Sequence, residues 1–167
     1  MAEFKLPPQN LEAEKSVLGS ILIDEEAMFK IAESLTAGNF YEHKHQLIYE
    51  AMLYLYSHQQ AIDVLTLSTK LKADKNLKNC GGMSYLTELV ETVPTSAHIE
   101  EYANMITEQS QRRRLISLAS EIDELAYKEN QDLPLVLDEV EKNLMGIAQS
   151  TTGDDFVHIS SLLEESI

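Results

Sequence analysis

Apolar residues recur every three or four positions along most of this chain, which is the spacing of one face of an α-helix. Gly38 follows the second such stripe, and a fifth helix is predicted over about 83–93. Alternating strand patterns are absent apart from brief stretches. The candidate N-caps are Asn10, Asp24, Asp63, and Thr95 or Ser96. The inward positions of the first four helices are Leu11, Glu14, Val17, Leu18, Ile21, Leu22, Met28, Ile31, Ala32, Leu35, His45, Ile48, Ala51, Met52, Leu55, Leu67 and Leu71. The first part of the chain, residues 1–96, therefore predicts a compact helical head.

A long uninterrupted helix is predicted over about 97–128, which corresponds to a rod of about 48 Å. Apolar residues form one stripe over 99–106 and a second over 115–126, whereas residues 107–114 contain none. A helix with two stripes has two packing partners. We expect the first stripe to pack in the head, the polar middle to form a solvated stem, and the second stripe to pack elsewhere.

A turn at 130–132 and a further apolar stripe over 133–148 predict that the long helix continues into an αα-hairpin. In an isolated hairpin, each helix covers only one side of the apolar stripe of the other. Ile116, Leu135 and Met145 lie away from the seam, the line along which the two helices meet, and would stay exposed to water. Pairing of hairpins from two chains into a four-helix arrangement would bury this surface. The predicted self-association residues are Leu115, Leu118, Ile122, Leu125, Val136, Val140, Leu144 and Ile147.

A short polar linker is predicted at 150–155, and Ser161 and Glu164 then form a capping-box pattern. The sequence ends about two turns into this predicted helix. We therefore expect the natural protein to continue beyond residue 167.

The chain has a strong acidic excess, with 28 acids, 13 bases and a formal charge of −15. Such a charge repels phosphates on average and argues against a general affinity for DNA or RNA. The run Arg112–Arg114 leaves three alternatives open: a solvated stem, salt bridges to acids of a neighbouring chain, or a DNA contact. Consecutive helical residues step by about 100°, so these arginines cannot line one narrow groove, and the stem is favoured.

Motifs for catalysis or cofactor binding are missing from the sequence. No apolar run approaches the roughly 20 residues of a membrane helix, and the single cysteine, Cys80, cannot form an intrachain disulfide. Gly81 and Gly82 lack the rest of a G-x-x-x-x-G-K-[ST] phosphate loop. His43 and His45 are two residues apart, unlike the i, i+4 spacing of helical metal ligands. We expect no catalytic, cofactor-binding or metal-binding residues in this chain.

Several stretches carry a family resemblance that runs in order along almost the whole chain. They are LPPQNLEAEKSVLGSILID at 6–24, NFYEHKHQLIYEAM at 39–52, IDVLTLSTKL at 62–71, GGMSYLTELVETVPTSAHIEEYANMI at 81–106 and RRRLISLASEI at 112–122. Together they resemble the N-terminal region of DnaB-type replicative DNA helicases of bacteria or phages.

The resemblance implies an all-α domain of three parts: a helical head at 1–96, a long helix with a hairpin used for dimerisation at 97–149, and a linker with the start of a linker helix at 150–167. In this family the hairpins pair, and three dimers form a collar on a hexameric ring. The collar recruits the C-terminal domain of primase. ATP and Mg²⁺ belong to an ATPase domain that this chain does not include, so the fragment itself should be inactive.

Motif positions of the family suggest Glu12, Tyr85, Ile116 and Ile122 as partner-binding residues. Core or seam packing is an equally good interpretation of Tyr85 and Ile122, and Glu12 could simply stabilise its helix N-terminus. A helicase loader is a further candidate partner, and the expected location is the cytoplasm of a bacterium or a phage-infected host. Direct DNA binding and membrane binding are not expected. The alternative function is a generic helical oligomerisation module without a primase partner.

Overall fold

The computed structural model describes residues 5–151, and within this range every regular element is helical. This confirms the predicted all-α fold class. Of the predicted linker and start of a linker helix at 150–167, Ser150 and Thr151 belong to the last α-helix, and the rest lies outside the described residues. Seven α-helices occur in the described part: α1 Leu11–Ile23, α2 Met28–Ile31, α3 His43–Ser57, α4 Val64–Ala73, α5 Gly82–Val90, α6 Ile99–Tyr127 and α7 Leu133–Thr151. Two 3₁₀ turns, Glu25–Ala27 and Ala37–Asn39, flank α2.

The caps predicted for α1 and α4 are confirmed. The Asn10 side chain accepts a hydrogen bond from the backbone N–H of Ala13 at 3.0 Å. Asp63 accepts from the N–H of Thr66 at 2.8 Å, and the Thr66 hydroxyl accepts in return from the N–H of Asp63 at 3.0 Å. Each bond satisfies a donor that the first helical turn leaves without a partner, so the polar residue fixes where the helix begins.

The second helix is shorter than predicted. It ends at Ile31 and does not extend to Gly38. Asn39 provides the physical reason. Its side-chain oxygen accepts from the N–H of Thr36 at 2.8 Å and from the Thr36 hydroxyl at 3.0 Å. These bonds close a separate 3₁₀ turn, which competes with continuation of the α-helix.

The long helix begins at Ile99, two residues later than predicted, because neither expected cap adjoins it. The Thr95 hydroxyl accepts from the N–H of Ala97 at 3.2 Å, and the Ser96 hydroxyl donates to Asp24 at 2.8 Å. Both side chains therefore stabilise the approach to the helix.

The chain forms two compact units that divide between Ser110 and Gln111. The first unit contains one hydrophobic core, to which the start of α6 contributes Ile99, Ala103 and Ile106. The first apolar stripe of the long helix thus packs in the head, as predicted. The domain boundaries at 97 and 150 stay predictions.

The polar stretch 107–114 is the predicted solvated stem only in part, because Glu108, Arg112 and Arg114 are exposed whereas several side chains in it make specific contacts. Ser110 is buried, and its hydroxyl oxygen accepts a hydrogen bond from the Asn39 amide at 3.1 Å. Gln111 and Arg114 both donate to the Ser150 hydroxyl, at 3.4 and 3.1 Å. Polar side chains therefore make specific contacts here, which a search for apolar stripes cannot detect.

Candidate functional site

The second unit is an antiparallel hairpin of the later part of α6 and of α7. The bonds from Gln111 and Arg114 to Ser150 join the beginning of this part of α6 to the end of α7. The Ser150 hydroxyl also donates to the carbonyl of Ile147 at 2.7 Å, which holds it in place as an acceptor. The two helices therefore run in opposite directions, as the predicted turn at 130–132 requires.

The eight predicted self-association residues divide into two groups in the structure. Leu118, Val136 and Ile147 are buried, and Leu125 and Val140 are half-buried. The other three, Leu115, Ile122 and Leu144, are 38–49% exposed. The covered residues account for the stability of the hairpin itself, while the exposed residues remain available for a second chain.

Two further leucines extend the exposed group. Leu133 and Leu137 are 66% and 58% exposed and follow the same helical period as Leu144. We define the hairpin face by its five large apolar residues: Leu115, Ile122, Leu133, Leu137 and Leu144.

These five residues share one side of the hairpin. The buried residues Leu118 and Val136 mark the side on which each helix faces the other. At about 100° per residue around the helix axis, the exposed residues of α6 are rotated by about 40–60° from Leu118. Those of α7 are rotated by about 60–100° from Val136, in the same rotational sense. Because the helices are antiparallel, the same sense places both sets on one side. Ile116, Leu135 and Met145 are also exposed but lie on other sides by the same count.

Tyr85 lies in a buried polar network in the head. It is 8% exposed, and its hydroxyl bonds to His45 Nε2. His45 Nδ1 lies 2.9 Å from a carboxylate oxygen of Glu14, whose side chain is likewise buried. The network therefore links α1, α3 and α5 through three side chains.

Glu14 is satisfied by three donors. Besides His45, it accepts from the backbone N–H groups of Tyr41 at 2.9 Å and Glu42 at 3.2 Å. A neutral His45 with its proton on Nδ1 can donate to Glu14 and accept from the Tyr85 hydroxyl, which is the tautomer we assign. Such pairing offsets the cost of removing a carboxylate from water.

Burial raises the pKa of the Tyr85 hydroxyl well above its ordinary value of 10.0, and the neighbouring carboxylates of Glu88, Glu42 and Glu14 act in the same direction. The hydroxyl therefore keeps its proton and remains a donor at neutral pH. Lys44 lies over the Tyr85 ring at 4.0 Å from its centroid, which is a cation–π distance.

The other predicted partner residues lie on the surface. Glu12 is exposed in the first turn of α1, and Ile116 is 53% exposed on α6. Ile122 belongs to the hairpin face. The predicted partner-binding set thus combines exposed side chains with Tyr85, whose hydroxyl is held by the buried network of the head.

The described part of the chain lacks a cluster of metal ligands, a cysteine activated as a nucleophile and a helix that could span a membrane. No group of three or more His, Cys, Asp or Glu residues there could hold a metal ion. Burial raises the pKa of the Cys80 thiol despite the nearby positive charge of Lys44, which disfavours the nucleophilic thiolate. No helix between residues 5 and 151 is long and apolar enough to span a membrane.

A family model described as the DnaB-like helicase N-terminal domain matches residues 6–108, which is more than half of the chain. The chain belongs to this family. The matched range contains most of the first unit, including the network of Glu14, His45 and Tyr85.

Full-length relatives of this DnaB-like domain include two replicative helicases from bacilli. The replicative DNA helicase DnaB of Geobacillus stearothermophilus is 35% identical over 162 residues. The replicative DNA helicase DnaC of Bacillus subtilis is 38% identical over 162 residues. In both cases the match covers 97% of this chain and 36% of the relative, so the chain spans about a third of the length of these helicases.

Solved structures show the same fold. The N-terminal domain of DnaB helicase from Mycobacterium tuberculosis superimposes with a TM-score of 0.80 at 34% identity, over 84% of this chain and 99% of that one. A second structure is described as a DnaB-like replicative helicase and its interactions with primase. It matches with a TM-score of 0.69 at 29% identity, over 88% of this chain and 34% of that one.

Two features of this DnaB-like domain escaped the sequence analysis. Leu133 and Leu137 were recognised as apolar but were not among the self-association residues, although their i, i+4 spacing was visible. The pairing of Glu14 with His45 was also missed. Both residues occupy inward helical positions, and a charged residue at a core position predicts a buried polar partner.

Proposed function

We propose that this chain forms the N-terminal collar of a hexameric replicative DNA helicase, where it holds subunits together and recruits primase. It performs no catalytic step itself. ATP and Mg²⁺ would act in the ATPase region of the full-length protein, in the cytoplasm of a bacterium or a phage-infected host. The family membership and the replicative helicases among its relatives support this proposal.

The hairpin face is the observation that carries the proposal. Five large apolar side chains, between 38% and 66% exposed, lie on one side of two helices. Burying apolar surface contributes about 25 cal/mol per Å². A second hairpin packed against this face would form a four-helix arrangement and cover both copies at once. Self-association is therefore the use that best fits the exposed surface.

Light scattering of the protein during size-exclusion chromatography tests this step. Leu137→Glu combined with Leu144→Glu places charges on the hairpin face and should convert a dimer or larger assembly to a monomer. Leu118 is unsuitable for this test because it is buried, and a charge there would disrupt the hairpin.

The matched control is Leu135→Glu combined with Met145→Glu, which adds the same charge at exposed positions on other sides. The control should associate like the parent, with unchanged helicity by circular dichroism. A monomeric parent protein, or equal loss of association in both variants, would contradict pairing through this face.

Primase recruitment is the second part of the proposal, and we assign it to the predicted partner residues outside the hairpin face: Glu12, Tyr85 and Ile116. The similarity to a helicase whose structure includes interactions with primase supports it. The C-terminal domain of the cognate primase should bind in isothermal titration, and a dissociation constant near about 1 μM corresponds to about −8 kcal/mol. A helicase loader is a further candidate partner.

Ile116→Glu should weaken primase binding by about tenfold or more, as for a buried interface residue. Leu135→Glu, at a position that is 65% exposed, should have little effect. Self-association without any heat on titration with primase at about 100 μM would contradict primase recruitment. It would favour the alternative function, a generic oligomerisation module, for which the hairpin face alone is sufficient.

A further inference from the structure

Positive charge in this acidic chain is concentrated at the end of α4 and in the loop that follows. The stretch KLKADKNLK at 70–78 contains four lysines and one acid, in a protein of net charge −15. Lys70 is already engaged, because its ammonium lies 3.1 Å from Asp74 and 3.7 Å from the centroid of the Tyr54 ring. The three remaining lysines are exposed.

Lys72, Lys75 and Lys78 all line one open surface cavity of about 490 Å³. Its other lining residues are Leu77 and Gly82. None of the three lysines forms a salt bridge with a residue in the described part of the chain. Three like charges within seven residues repel each other, and an anion bound beside them would relieve that repulsion.

The loop that carries these lysines is held in a defined shape. The N–H groups of Asn76 and Leu77 donate to the carbonyl of Leu71, at 2.8 and 3.2 Å, and the N–H of Gly82 donates to the carbonyl of Leu77 at 2.9 Å. Lys75 and Gly82 both adopt positive φ angles, of 61° and 73°. A fixed backbone lowers the entropy cost of gathering the three ammonium groups around a ligand.

We propose that this cavity, the lysine cavity, binds a short acidic peptide segment of a partner protein. Carboxylates would pair with Lys72, Lys75 and Lys78, and an apolar side chain of the same segment would contact Leu77.

A nucleic acid fits these observations less well. DNA-binding proteins commonly neutralise on the order of 6–10 phosphates along an extended basic track. Here three lysines line one cavity, and the rest of a chain of charge −15 repels a long polyanion. A few carboxylates close together match this local charge better.

The test uses fluorescence anisotropy with a fluorescein-labelled peptide of sequence DDLEEF at low salt. The substitutions Lys72→Gln, Lys75→Gln and Lys78→Gln are combined in one variant of the full chain. This variant should lose peptide affinity by about tenfold or more, because it removes three exposed charged contacts that together attract the peptide's carboxylates. The neutral peptide NNLQQF should bind weakly to the parent protein.

A second variant combines Lys30→Gln, Lys128→Gln and Lys142→Gln, which remove the same charge elsewhere, and it should bind DDLEEF like the parent. The proposal is overturned if both variants lose affinity equally, if the neutral peptide binds as well, if single-stranded oligo-dT binds more tightly than DDLEEF, or if the peptide does not bind. Light scattering should give the first variant the same oligomeric state as the parent, because the lysine cavity and the hairpin face share no residue. A loss of peptide binding can therefore be distinguished from a loss of self-association.

Discussion

At the scale of single residues, the buried Glu14 carboxylate shows how the head accepts a charged group in its interior. Two backbone N–H groups and His45 donate to it, and His45 in turn meets the Tyr85 hydroxyl. Within residues 5–151 every buried side-chain nitrogen and oxygen has a hydrogen-bond partner. The network therefore holds α1, α3 and α5 in register without a buried group left unsatisfied.

Because the hydroxyl groups of Tyr49 and Tyr85 are buried, we predict that the protein loses stability at alkaline pH. Burial raises both pKa values above 10.0, so the folded protein retains phenolic protons that the unfolded chain releases. The contribution of each tyrosine to the free energy of unfolding should be fully present below about pH 10. Above that pH the free energy of unfolding should fall, by at most about 1.4 kcal/mol per pH unit for each tyrosine. Urea unfolding at several pH values measures this slope.

The double variant Tyr49→Phe with Tyr85→Phe should start less stable, because Leu35 and His45 lose the hydroxyl groups that bond to them. Its stability should then fall less steeply above about pH 10. Tyr127→Phe, at an 80% exposed position, serves as the control and should keep the parent's slope. Parallel slopes for the parent and the double variant would contradict the assignment.

At the scale of elements, α1 and α5 approach each other closely at Gly19. A Cβ atom built at this position would overlap the carbonyl oxygen of Leu89 and contact the Thr92 side chain. Glycine usually weakens a helix interior, but here its missing side chain permits the contact between the two helices.

Gly19→Ala should therefore destabilise the protein by about 1–3 kcal/mol, since one helix must shift. Gly146→Ala in α7 is the matched substitution, because no atom outside its own helical turn lies within 4 Å of the new methyl group. It should stabilise α7 by about 0.5–1 kcal/mol. Thermal unfolding of the two variants should shift in opposite directions, and a Gly19→Ala protein as stable as the parent would refute the close approach.

At the scale of the whole molecule, the charge of −15 opposes the self-association that the hairpin face promotes. Two copies repel through their net charge, while apolar burial is insensitive to moderate salt. Salt reduces such repulsion, with a screening length of about 10 Å at 0.1 M. The oligomeric state should therefore depend on ionic strength.

We predict that self-association strengthens as the salt concentration rises from about 20 to about 200 mM. Sedimentation velocity over a concentration series measures the dissociation constant at each salt level. Ion pairs between Arg112–Arg114 and acids of a neighbouring chain would give the opposite trend. Weaker association at high salt would thus assign the interface to those pairs instead of the apolar face.

The sequence by itself determined the helices of the head apart from the end of α2, the caps at Asn10 and Asp63, and the apolar side that places Ile99, Ala103 and Ile106 in the core. These features depend on hydrogen bonds and side-chain periods within a few residues, which the order of amino acids fixes directly. The same period indicated the hairpin and its apolar seam. Family likeness added the collar and the primase, which no periodicity could supply.

Only the tertiary structure decided which seam residues are covered and which remain exposed, as Leu118 and Leu144 show. It also joined Glu14 to His45 and Tyr85, and brought Gly19 against Leu89. These outcomes depend on how segments far apart in sequence pack together. A helical period tells which side of a helix is apolar, but the neighbouring elements determine what that side contacts.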